Sequence, residues 1–168
     1  IETIIASGDK DLFQLVGGNI KQLDMKGKLY GEDEVKEKMG VNPHQILDLL
    51  ALTGDSADNI PGVPSVGPKT ASKWLELYED IEGVKANAEK IGGKVGEKLR
   101  ESFEILDLSY KLVQLKFDVQ LPLNILLEEP GENKGELLKL FREYGFSMWL
   151  KQLGEKEDSK VAEFEEQE

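Results

Sequence analysis

The sequence predicts an α/β fold: a partial parallel sheet at the N-terminal end, then a mainly helical region in which two helices flank a tight hairpin. Three observations carry this. Thr3–Ala6 is a short continuous apolar run, as in a strand buried on both faces of a parallel sheet, and Ile20–Met25 alternates apolar with polar residues. From Glu32 onward, apolar residues recur at helical spacing. Between two of those helices lies Gly54–Ala71, rich in glycine and proline and holding two aspartates three apart, Asp55 and Asp58.

The first strand ends in Ser7-Gly8-Asp9-Lys10-Asp11. In open α/β sheets functional groups gather beyond the carboxyl ends of strands, where Asp9 and Asp11 fall. Their i, i+2 spacing lets both reach one side of an extended segment. The plainer reading of Asp9 is a cap for the short helix Leu12–Val16, which Gly17-Gly18 stops. A calcium-binding EF-hand starting at Asp9 is excluded, because Gln14 holds its glycine position and Ile20 its bidentate glutamate position. Lys26-Gly27 turns the second strand toward Leu29-Tyr30, which completes a hairpin. A helix follows over Glu32–Met39, ended by Gly40. Asn42-Pro43-His44-Gln45 starts the next, with Asn42 as cap, proline at the first position and Gln45 closing a capping box. This helix runs to Leu52 with Ile46, Leu49 and Leu50 on one face. His44, the single histidine, sits at an exposed helix start and is not read as catalytic.

The stretch after Asp58 reads as a turn that can hold a phosphate. Val63 and Val66 face inward, while Gly62 and Gly67 let the backbone bend and approach a ligand. Pro68 suits the first position of a helix, Pro68–Tyr78, so the amides of Gly67, Lys69 and Thr70 are expected to point outward at its N-terminus. Lys69 and Lys73 add positive charge. Such a hairpin holds a nucleic-acid backbone without reading bases; the plainer reading is an ordinary helix–turn–helix connection. The stripe Ala71, Trp74, Leu75 and Tyr78 is read as core.

A short helix is expected over Ile81–Ala88, and a flexible loop over Ile91–Gly96. Lys90, Lys94, Lys98 and Arg100 surround that loop as a second candidate phosphate contact. One long helix is expected from Glu97 to Lys116, with the seam Leu99, Phe103, Leu106, Tyr110 and Val113. Val119–Ile125 reads as extended, Pro122 marking an edge. Asn133 caps a last helix through Tyr144 with Leu137, Phe141 and Tyr144 inward, and an acidic tail begins at Gly154. The expected organisation is 1–42 as part of the α/β core, 43–80 as the hairpin region, 81–153 as a helical C-terminal part and 154–168 as linker or tail.

Composition sets limits. A chain of 168 residues with 39% hydrophobic and 32% charged residues suits one domain, or one and a fraction. The absence of cysteine removes disulfides, thiol nucleophiles and zinc–thiolate sites, and no apolar run reaches the length of a membrane span. A net charge of −12 argues against a general nucleic-acid coat, so binding a polyanion calls for a local basic patch and divalent cations. Asp9, Asp11, Asp55 and Asp58, brought together, would repel one another until a cation joined them. An oxygen-only ligand set suits magnesium or manganese.

The run Leu-Thr-Gly-Asp-Ser-Ala-Asp-Asn-Ile-Pro-Gly-Val (52–63), then Val-Gly-Pro-Lys-Thr-Ala (66–71), resembles the 5′-nuclease (flap endonuclease) family, and within it the 5′–3′ exonuclease domains of the bacterial DNA polymerase I type. The resemblance runs from Thr3 to Leu153. It implies a PIN-like nuclease core, here without its N-terminal strands, joined to a helix-hairpin-helix region over Ile46–Tyr78. It also implies a divalent-metal-dependent 5′–3′ exonuclease or flap endonuclease acting on DNA in replication and repair. Asp9, Asp11, Asp55 and Asp58 would match the second metal group, and Gly62, Val63, Val66, Gly67, Lys69, Thr70 and Lys73 the DNA-binding hairpin. A potassium ion on the carbonyls of Val63 and Val66 is a further expectation. The implied partners are DNA with a 5′ end or flap, the N-terminal part of the nuclease domain and a polymerase domain after the tail, in a bacterial cytoplasm at the nucleoid. Ile1 in place of methionine suggests a cut or processed start, and the chain alone is expected to be catalytically incomplete. The alternatives are a non-catalytic, structure-selective DNA-binding module and a purely structural domain.

Overall fold

The computed structural model describes residues 1–120, 131 and 133–153. They fall into two units, divided after Val119. The expected extended segment beyond Gln120 and the acidic tail from Gly154 lie outside the described residues.

Strands β1 (Thr3–Ala6), β2 (Ile20–Leu23) and β3 (Leu29–Tyr30) form a sheet in the order β1-β2-β3. β1 runs parallel to β2, Thr3 opposite Ile20, and β3 runs antiparallel to β2, Gln22 opposite Tyr30. One expectation fails here. β1 is not buried on both faces: Ile4 is 53% exposed, and Thr3 and Ala6 are exposed as well. Among the described residues β2 borders one edge of β1, and no helical layer covers its faces.

Helices then take over: α1 (Glu32–Met39), α2 (Ile46–Thr53), α3 (Pro68–Tyr78), α4 (Ile81–Ala86), α5 (Gly93–Glu101) and α6 (Phe103–Val113). Gly40 ends α1 in the left-handed conformation at φ 77°, where a side chain would be strained. α2 is the hub, packed against α3, α6 and the 3-10 turn Asp11–Leu15. Ile46, Leu49, Leu50, Ala51 and Leu52 are all buried, as suits a mostly apolar helix packed on several sides. The capping box opens the 3-10 turn Pro43–Gln45, where the Asn42 amide donates to Gln45 Oε1 at 3.2 Å. Gln45 also reaches across the core: its Nε2 donates to Leu75 O at 3.2 Å and Glu79 O at 2.7 Å, tying α2's start to α3's end.

Two helical expectations change. The segment 97–116 is two helices. At Ser102 the hydroxyl donates back to Lys98 O at 2.6 Å and the amide to Leu99 O at 3.0 Å, which tightens the turn and bends the chain. The seam Leu99, Leu106 and Val113 is nevertheless buried on both sides of the bend, so periodicity alone does not show the break. The expected loop over Ile91–Gly96 is partly the first turn of α5. A Cβ on Gly96 would lie 1.8 Å from Ile91 O, so the glycine admits the close approach of the preceding segment.

The second unit contains α7 (Lys134–Glu143), capped by Asn133, and a helical stretch over 147–153. Leu137 and Tyr144, expected inward, are exposed. Phe141 finds aromatic partners, with ring centroids 6.1 Å from Phe146 and 5.4 Å from Trp149.

Candidate metal and nucleic-acid site

The loop after β1 is built from its own polar groups. The Ser7 amide donates to Leu23 O at 3.0 Å, continuing the parallel ladder by one residue. The Asp9 amide donates to Ser7 Oγ at 3.1 Å, and Asp9 Oδ1 accepts the Asp11 amide at 3.0 Å. Asp9 thus closes the local turn and does not cap the helix, as its plainer reading expects it to: Lys10 holds the N-cap position of the 3-10 turn Asp11–Leu15, with no side-chain cap hydrogen bond. Beneath the loop lies Gln22, a side chain that pattern reading passes over as a polar residue on a strand. It is 1% exposed.

The second acidic pair sits on a loop closed by an antiparallel bridge. The Asp55 amide donates to Ile60 O at 2.9 Å and the Ile60 amide to Asp55 O at 2.7 Å, with Asn59 in the left-handed region at φ 57°. Asp55 Oδ1 accepts the Ala57 amide at 2.8 Å. Asp58 is exposed, with no side-chain partner among the described residues.

Tertiary structure brings the two pairs side by side. Lys10 Nζ lies 2.5 Å from Asp55 Oδ2, joining residues 45 apart in sequence. This ammonium, with help from the Ala57 amide, holds the Asp55 carboxyl below the usual range. Burial pushes the Asp11 carboxyl up, Asp9 adds to the rise, and Asp55 and Asp58 add more, against the pull of Lys10. Asp11 therefore stands in the field of the other three acids. Even so, among the described residues no three acidic or histidine groups come close enough to share one ion directly. The donor chemistry suits a hard cation that keeps its waters: all oxygen, mutually repelling, and balanced by a single lysine.

The hairpin begins where the acidic loop closes. Gly54 and Gly62 pass each other at φ 69° and 60°; a Cβ on Gly62 would lie 2.3 Å from Gly54 N, and one on Gly54 2.5 Å from Ile60 O. Val63 and Val66 face inward as expected, both buried, with the Val66 amide donating to Val63 O at 3.1 Å. One expected outward amide is corrected: the Thr70 amide donates to Gly67 O at 3.0 Å. The Gly62 amide donates to the buried Ser109 Oγ at 3.3 Å. Sequence patterning does not reveal Ser109, because a serine on α6 reads as surface.

The Gly67 and Lys69 amides have no acceptor among the described residues, and Lys69 and Lys73 are exposed. A cavity of 360 Å³ lies between this helix start and the first acidic loop, lined by Lys10, Lys38, Gly67 and Pro68 among others. The basic stretch of α5 is partly spent inside the fold. Arg100 Nη1 donates to Ala88 O at 2.7 Å, and Lys98 Nζ to the hairpin's Ser65 Oγ at 2.7 Å.

Residues 41–131 match the family model described as 5′–3′ exonuclease, C-terminal SAM fold. The DNA polymerase I of Pseudomonas aeruginosa is 44% identical over 160 residues, covering 89% of this chain and 18% of that protein. The flap endonuclease Xni of Shewanella halifaxensis is 43% identical over 129 residues, covering 76% of this chain and 50% of that protein. The chain therefore spans about half the length of the flap endonuclease and under a fifth of the polymerase. Among solved structures, a mutant T5 5′-exonuclease superposes with a TM-score of 0.62 at 23% identity, over 67% of this chain and 47% of that one. The catalytic core of Rad2 in complex with DNA substrate superposes with a TM-score of 0.51 at 13% identity, over 83% of this chain and 50% of that one. At these identities the structural likeness speaks to the fold.

Proposed function

Because the chain belongs to the 5′–3′ exonuclease family, we propose that it forms part of a divalent-metal-dependent 5′–3′ exonuclease or flap endonuclease acting on DNA with a 5′ end or flap. The observation that carries the proposal is the convergence of the Asp9–Asp11 loop and the Asp55–Asp58 loop, joined by the Lys10–Asp55 pair, beside a hairpin with free amides.

Asp9, Asp11, Asp55 and Asp58 would hold magnesium or manganese, in part through water. When bound, such ions supply an activated water and stabilise the leaving oxygen of a phosphodiester. The chain's own residues do the rest. Lys10 balances charge at Asp55 while the acids are unliganded. The amides of Gly67 and Lys69, at a helix N-terminus, take a phosphate oxygen, and Lys69 and Lys73 add attraction along the strand. The carbonyls of Val63 and Val66 are the candidate potassium ligands. The uncovered faces of β1 leave room for an N-terminal part of the nuclease domain, and a polymerase domain would follow in relatives of the first kind.

A second reading is a structure-selective DNA-binding module without chemistry. It draws on the acids' failure to close around one ion among the described residues. Asp58→Asn separates the two, because the exposed Asp58 side chain has no partner among the described residues. Titration calorimetry with manganese chloride should show binding by the chain and its loss in the variant. Flap cleavage by the full-length protein carrying this segment should fall at least about a hundredfold. Unchanged manganese binding and unchanged cleavage would refute the metal role and leave the module.

A further inference from the structure

Gln22 makes a contact whose purpose the fold alone does not require. Its Nε2 donates to two carbonyls of the first acidic loop, Ser7 O at 2.9 Å and Asp9 O at 2.7 Å. The side chain is 1% exposed, and its Oε1 is buried without a partner among the described residues. The amide cannot be turned over to satisfy that oxygen, since it would then face two carbonyl oxygens. A buried acceptor is thus left unmet while both donor hydrogens go to the turn that presents Asp9 and Asp11. The strand could be built without this arrangement: β2 pairs through its backbone, and Gln22 stands opposite Tyr30 in that ladder. An apolar side chain would fill the same space with no orphaned oxygen.

We propose that Gln22 is a positioning residue, a two-pronged clamp that fixes the backbone of the Ser7–Asp9 turn and so sets where the carboxylates of Asp9 and Asp11 stand before a divalent cation arrives. The inference rests on the metal reading for those aspartates, and it deepens that reading by naming what preorganises them. Groups that orient metal ligands from behind alter affinity without touching the ion.

The test uses the whole chain with Gln22→Met, which keeps length and volume, and Gln22→Glu, which turns two attractions into repulsions. Amide hydrogen exchange is measured without metal, and manganese affinity by calorimetry. The expected result is exchange about tenfold faster at Asp9 and Asp11, no change at α2, and manganese binding weakened about tenfold in Gln22→Met and more in Gln22→Glu. Protection and affinity equal to the parent's would overturn the proposal. Exchange that rises across α2 and α6 as well, or failure of both variants to fold, would also overturn it by making Gln22 a general core residue. If the parent itself binds no manganese, the metal reading fails, and the local exchange result still decides whether the clamp exists.

Discussion

Asp48 offers the sharpest quantitative test of the core. It lies on α2 and is 7% exposed. Burial pushes its carboxyl from 3.8 to about 6; the Ile81 amide pulls it back, and Asp80 and Glu82 push it further up. The folded protein therefore holds this proton more tightly than the unfolded chain. The stability associated with the neutral form is fully present below pH 3.8 and is lost as pH rises through about 6. The displacement corresponds to about 3 kcal/mol at neutral pH. The substitution Asp48→Asn keeps an oxygen to accept the Ile81 amide but carries no charge. The variant should match the parent near pH 3.5 and exceed it by up to about 3 kcal/mol at pH 8, a rise in Tm of roughly 10 °C. Urea unfolding from pH 3.5 to 8, followed by the fluorescence of buried Trp74, reads this directly. A constant offset between the two proteins at every pH, or a less stable variant at pH 8, would refute the assignment of the acid-side slope to Asp48.

Three further outcomes are expected. Gly62→Ala forces a side chain into the Gly54 backbone at positive φ and should cost more than about 3 kcal/mol, seen as a lowered urea midpoint. Ser109→Ala leaves the Gly62 amide buried and unmet and should cost about 1–3 kcal/mol; a neutral result in the same unfolding assay would remove Ser109 from the hairpin's support. Lys10→Met should let the Asp55 carboxyl rise toward 3.8, followed by carbon-detected NMR titration. Asp55 contributes stability above its unfolded value that is lost as pH falls through its lowered folded value, so the variant should lose that acid-side dependence. It should also bind manganese more tightly, having lost a competing cation; weaker binding would mean that Lys10 assists the metal.

Much of the helical layer is legible in the sequence because capping residues announce it: Gly40 stops α1, Asn42 and Pro43 open the turn into α2, and Pro68 starts α3. The acidic loops are legible too, since aspartates after a strand and beside a glycine-rich turn stand out by residue type. What escapes is polar and buried. Gln22, Gln45, Asp48 and Ser109 look like surface in a hydrophobic pattern, yet all four donate to, or accept from, backbone groups far along the chain. The bend at Ser102 escapes because one hydroxyl redirects the backbone while the apolar spacing runs on undisturbed. The exposure of β1 escapes because an apolar run reports what a strand is suited to bury, not whether anything among the described residues covers it.

The crossing of Gly54 and Gly62 has a mechanical meaning. Asp55 follows one glycine and Val63 the other, and no side chain separates the two backbones to act as a bearing. Acid and hairpin are therefore held to each other by direct backbone contact at the end of α2. On the function proposed above, the spacing between the hairpin and the acids would be a fixed gauge built into the polypeptide, indifferent to base sequence.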